Sequence, residues 1–219
     1  MNLKKLFYKL FGFRNQNEMK QPVLSRERIA LHEAAHGIVW YLFKDNWTVN
    51  SLSIERNVLL DDRMNGALHI SPSFVDNQNT IERANELFAI ALAGLIGQNM
   101  NVILQRTNLL QELMTVSHFN MIFDETGCSG DYEIAKQYLP HLGNAFQTSE
   151  GSFTKYKILD LVTMFQDHKK VQQVHAGLSV LLLERGTLSR EEIATFFEQQ
   201  KFQEYIEEEN LDRNFFHQR

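Results

Sequence analysis

The chain has 219 residues, room for one domain or one and a half at ~150 residues each, and long enough to bury a core without staples. Its 43% hydrophobic and 22% charged content, with 3 Pro and 11 Gly, excludes fibrous and loop-rich classes. Twenty-two basic against 27 acidic side chains leave a net charge of −5, which excludes the basic footprint of a dedicated nucleic-acid binder. The single cysteine, Cys128, has no internal partner and fits a reducing, cytoplasmic setting.

No apolar run reaches the ~20 residues of a spanning helix; Phe88 to Ile96 is among the longest. At helical period, Leu3, Leu6, Phe7, Leu10 and Phe11 form one stripe flanked by Lys4, Lys5 and Lys9. Residues 1–13 therefore read either as a helix folded back on its own domain or as a peripheral membrane-surface contact. A polar linker near Asn15 to Pro22 follows, so residues 1–23 stand apart from a main domain over 24–198. Ser25 is the expected N-cap of a helix running to about Phe43, with Glu27 in its first turn. Thr48 to Arg56 and Gly66 to Ser71 alternate like short strands, joined by a turn at Asp61 to Gly66. Helices are expected over roughly 80–100, 103–119, 131–139, 150–168, 170–185 and 189–206, broken near 124–130 and again at Pro140 and Gly143. Residues 199–219 read as a charged C-terminal helix or tail, solvated or frayed around Glu207 to Glu209. The fold class expected is mainly α (α+β) with a small sheet or hairpin.

The chemistry concentrates in His32-Glu33-Ala34-Ala35-His36. Four residues make just over one helical turn, so both imidazoles leave one face and can converge on one ion. Glu33 lies about 100° round the helix, beside that ion, where it can act as a base. A catalytic zinc takes three protein ligands and leaves a position for water. His69, His118, His141, His168 and His175 have no spacing that recommends them as the third. Asp131 opens a helix after Thr126-Gly127-Cys128-Ser129-Gly130, and by spacing alone it reads as a routine cap or as that ligand.

The run Arg26 to His36 resembles the zinc-binding helix of the FtsH family, membrane-anchored AAA+ zinc proteases. Three further blocks follow in the same order. Ala91-Leu92-Ala93-Gly94 is similar to the family's Ala-Gly-Arg helix, and Thr126 to Asp131 to its Thr-Gly-Ala-Ser-Asn-Asp segment. Leu182 to Ile193 resembles its closing Leu-Leu-Glu, Thr-Leu and Glu-Glu-Ile stretch. The resemblance covers about residues 24–198 and implies a zincin-like helical peptidase domain. It implies His32, His36 and Asp131 as ligands of Zn²⁺, and a zinc-bound water activated by Glu33. It also implies a substrate-facing strand at Gly66, Leu68 and Ile70 that pairs with an extended peptide.

The departures are specific. None of the 11 glycines precedes a lysine, so the chain carries no Walker A loop and no ATP site. Leu95 and Gln98-Asn99 stand where the family carries an arginine and a pair of glutamates, one of them close to the zinc. Ala35 replaces the usual glycine inside the motif. The function expected is hydrolysis of peptides or unfolded protein segments without a built-in motor. The alternative is a weak or inactive domain serving as a binding or regulatory module. The family's hexameric rings raise a homo-oligomer, and the missing motor a separate ATPase, as partners to test.

Overall fold

The computed structural model describes residues 25–55, 66–73, 80–105 and 129–211. The expectations for residues 1–23, for the turn over 61–65 and for most of a helix over 103–119 fall outside them. The architecture is mainly helical with one small antiparallel sheet, the α+β class expected.

Helix α1 (Arg26–Leu42) starts where the capping residue placed it: the Ser25 hydroxyl accepts the Arg28 N–H at 3.3 Å. From His32 to Trp40 every side chain is buried, so α1 is the central element rather than a surface helix. Strands β1 (Trp47–Ser53) and β2 (Ala67–Pro72) pair antiparallel, and β3 (Thr187–Ser189) adds on the other side of β1. The β1–β2 register shifts between Val49 and Ser51, where Asn50 is the extra residue of a bulge. β3 was not expected; three residues are too few for a visible alternation.

Helix α2 (Thr80–Gly97) lies against α1, followed by the short α3 (Met100–Leu104). After the undescribed stretch come α4 (Ser129–Lys136), α5 (Leu139–Ala145), α6 (Glu150–Asp167) and α7 (Lys169–Arg185). The break expected at Pro140 and Gly143 falls just before them, at residues 137–138: Pro140 sits in the first turn of α5, where its missing N–H leaves no bond unmade, and Gly143 lies inside that helix. Beyond β3, the one helix expected over 189–206 is two, α8 (Arg190–Gln199) and α9 (Phe202–Glu209). Lys201, at φ 50°, takes the left-handed turn between them. Ser189 and Glu192 form a reciprocal capping box that starts α8. Phe202, Ile206 and Leu211 are buried in the common core, while Glu207, Glu208 and Glu209 stay exposed.

The packing around α1 depends on small residues. A Cβ on Gly37 would stand 3.1 Å from both Leu178 of α7 and Leu52 of β1, so helix and strand clasp α1 closely. On the α2 side, a Cβ on Gly97 would meet the Ala35 Cβ at 2.3 Å and the Leu31 carbonyl at 2.5 Å. The methyl of Ala35 is thus accommodated by a glycine on the facing helix. Tyr41, Phe197 and Phe202 stack in series beyond the end of α1, with Tyr41 and Phe197 centroids 4.1 Å apart. The buried Glu86 of α2 accepts from the Asn46 amide at 2.8 Å and the Trp47 indole at 2.9 Å, tying the entrance of β1 to α2.

Candidate metal centre

His32 and His36 leave one face of α1 toward α2, their rings edge-on with centroids 4.6 Å apart. Their Nε2 atoms are 2.9 Å apart. Asp131 reaches the same point from α4: its Oδ2 is 2.9 Å from His32 Nε2 and 3.5 Å from His36 Nε2. Because α4 begins at Ser129, Asp131 lies inside the first turn and its carboxylate points at the histidines. The cluster therefore joins residues almost a hundred positions apart in the chain.

The tautomer of His36 follows from its other nitrogen. Nδ1–H donates to the Ile90 carbonyl of α2 at 2.6 Å, which leaves Nε2 with a bare lone pair facing the cluster. Two imidazole nitrogens and a carboxylate oxygen thus converge, three acceptors with at most one proton among them when the rings are neutral. A cation satisfies all three at once. The three atoms lie on a circle of radius about 1.8 Å, just inside the ~2.0–2.2 Å bonds that zinc makes to nitrogen and oxygen. Gly94 of α2 keeps the space beside them open: a Cβ there would come within 2.5 Å of both Nε2 atoms. Donor set, spacing and cradle fit a zinc-type ion.

Burial opposes charge on the Asp131 carboxyl, but His36 and His32 outweigh it and hold the group well below the usual carboxylate range. Some 29% of that side chain still faces solvent. Glu33 is 4% exposed, and burial pushes its carboxyl up to about 7. His32 and His36 oppose the rise and Asp131 adds to it. Among the described residues Glu33 Oε2 has no hydrogen-bond partner. A buried carboxylate with one such bare oxygen, beside three convergent metal-type donors, is costly to stability and well placed to exchange a proton.

The other described histidines stay apart from the cluster, and His118 lies outside the described residues. His69 pairs across the sheet with Ser51, and exposed His141 sits in α5. His168 bonds the Tyr205 hydroxyl at 2.9 Å. His175 is buried, and its Nε2–H donates to the Leu31 carbonyl at 2.8 Å, one residue before His32. Burial pushes its imidazole down to about 4, against the pull of that carbonyl. Leu68 and Ile70 are half-buried and pack on the core. Gly66 lies directly against Glu33. Asn99 is occupied elsewhere: its amide donates to the Leu95 carbonyl at 2.7 Å and accepts from Arg28 at 3.4 Å. Sequence reading missed Gly94 and the Ile90 carbonyl. The Ala93-Gly94 pair was visible, but a backbone acceptor leaves no mark in a sequence.

No family model matches the chain, and no curated protein matches it. Among the described residues no helix is long and apolar enough to cross a membrane.

Proposed function

We propose that this chain is a zinc-dependent peptidase acting on peptides or unfolded protein segments. His32, His36 and Asp131 would hold the ion, and Glu33 is the general base. The observation that carries the reading is the convergence of three metal-type donors within 3.5 Å beside the buried Glu33 carboxylate, whose Oε2 has no partner among the described residues. The four ordered blocks resembling the FtsH family support it independently. Bound there, Zn²⁺ supplies Lewis acidity toward a peptide carbonyl and toward water. Glu33 takes a proton from the attacking water at its free Oε2 and returns it to the departing amine. Hydrogen bonding to Ile90 keeps the His36 ring from turning away. β2 is the outer strand of the sheet order β2-β1-β3, and its edge, unpaired among the described residues, would offer main-chain partners to an extended peptide. Recognition of that kind reads backbone, so weak sequence preference follows.

The first test is zinc per chain in the purified protein beside Asp131→Ala. Near one zinc per chain, lost in the variant, supports the site; peptide cleavage abolished by Glu33→Gln then supports the reaction. A folded protein that refuses supplied zinc overturns both. A second reading, a zinc-holding module without turnover, draws on Asn99: its side chain bonds Leu95 and Arg28 where the family has an acidic residue. Stoichiometric zinc with no cleavage of a mixed peptide library would select it.

A further inference from the structure

We infer that Gly66 is the positioning residue for Glu33, its bare backbone at the entrance of β2 holding the carboxylate against the ligand cluster. The inference rests on the peptidase reading, and it gives Gly66 a role other than peptide docking. No hydrogen bond anchors Glu33 Oε2 among the described residues. A side chain with three rotatable bonds and no such anchor is aimed by the shape around it.

That shape is specific. A Cβ on Gly66 would stand 2.5 Å from Glu33 Oε1 and 3.0 Å from its Cδ. On the other side it would meet Ile29 Cγ2 at 2.9 Å. Ile29 lies one turn before Glu33 on α1, and its β-branched side chain is stiff. The group that can yield is the far end of Glu33. Gly97 is a different case, since it faces the Leu31 backbone and the Ala35 Cβ, and neither moves unless the helices part. The atoms nearest the Gly66 position belong to Glu33 and Ile29, none to His32, His36 or Asp131. A methyl at Gly66 therefore re-aims the base while the ligands keep their places.

The test uses the full chain as wild type, Gly66→Ala, Glu33→Asp and the double variant, with zinc content, kcat and KM on a mixed peptide substrate. Gly66→Ala should keep wild-type zinc and a KM within about twofold, while kcat falls about 100-fold. Aspartate is one methylene shorter and withdraws from the methyl. In the Glu33→Asp background the same substitution should therefore cost less than about threefold. A thermal cycle needs no turnover: Gly66→Ala should lower Tm by about 2–4 °C more in wild type than in a Glu33→Ala background, where only the Ile29 overlap remains. An unchanged kcat in Gly66→Ala overturns the proposal, as do equal costs in the two backgrounds. If zinc-loaded wild type cleaves nothing, the peptidase reading fails separately. The thermal cycle then decides alone: coupling supports the placement of Glu33 by Gly66, and additivity overturns it.

Discussion

Replacing Glu33 by glutamine should stabilise the metal-free protein, and by an amount that depends on pH. Glutamine keeps the shape and removes the charge. The carboxyl of Glu33 ionises near 4.5 in an unfolded chain and at about 7 in the fold, because burial disfavours its anion. Its folded value is raised, so the fold favours the protonated form. Stability is complete below about pH 4.5 and is lost as pH rises through 7. The displacement corresponds to about 3 kcal/mol at pH 8, or about 6–12 °C in Tm for a chain this long. Urea unfolding of wild type and Glu33→Gln, in chelator, at pH 4.5 and pH 8 measures it. Other titrating groups are common to both proteins and cancel in the comparison. The two should be equally stable at the acid end, with the variant ahead at the alkaline end. Added zinc should shrink the gap, since a nearby cation favours the anion of Glu33. A variant that gains nothing at pH 8 would refute the claim that Glu33 is held as a costly buried anion.

Other substitutions probe the frame. Gly94→Ala should abolish zinc binding and lower Tm even without metal, because a methyl there overlaps both imidazoles; metal titration and thermal melting read the two effects. His175 should steepen acid unfolding. Its folded value of about 4 lies below the unfolded 6.5, so about 3 kcal/mol is lost as pH falls across that window, and His175→Met should flatten it in urea titrations. Phe197→Ala, which empties the centre of the ring stack behind α1, should cost about 3–5 kcal/mol in urea unfolding.

Most elements that carry local signals were legible. Ser25 announced α1 through its capping chemistry, and the long helices α2, α6 and α7 were expected within a few residues of their observed ends. What failed depended on tertiary context. Pro140 and Gly143 look like breakers in a string of letters, yet the break falls at residues 137–138 and both sit inside the short α5 that follows. β3 exists because β1 is there to pair with it, Leu188 opposite Leu52 and buried at its centre. Three residues carry no period of their own.

The site divides along the same line. A four-residue spacing on one helix makes His32 and His36 neighbours whatever the rest of the fold does, so that pair could be read directly. Asp131 could not, because a carboxylate near a helix start serves as cap or ligand with equal ease, and only the approach of α4 to α1 separates the two. The glycines were less legible still, for what matters at Gly94 and Gly66 is the atom that is missing and what stands next to the gap. These features share an energetic cost. Three acceptors facing one another and a carboxylate with a bare oxygen would be replaced by aliphatic side chains if stability alone shaped the centre of α1. The cost is concentrated where Gly94 of α2 and Gly66 at the start of β2 carry no side chain. On the proposed reading, a cation held by His32, His36 and Asp131 would satisfy all three facing donors and favour the Glu33 anion. The same arrangement that weakens the metal-free fold would then stabilise the loaded one. Zinc should therefore raise the melting temperature of wild type more than that of Glu33→Gln, a difference that purely structural histidines and a passive glutamate would not produce.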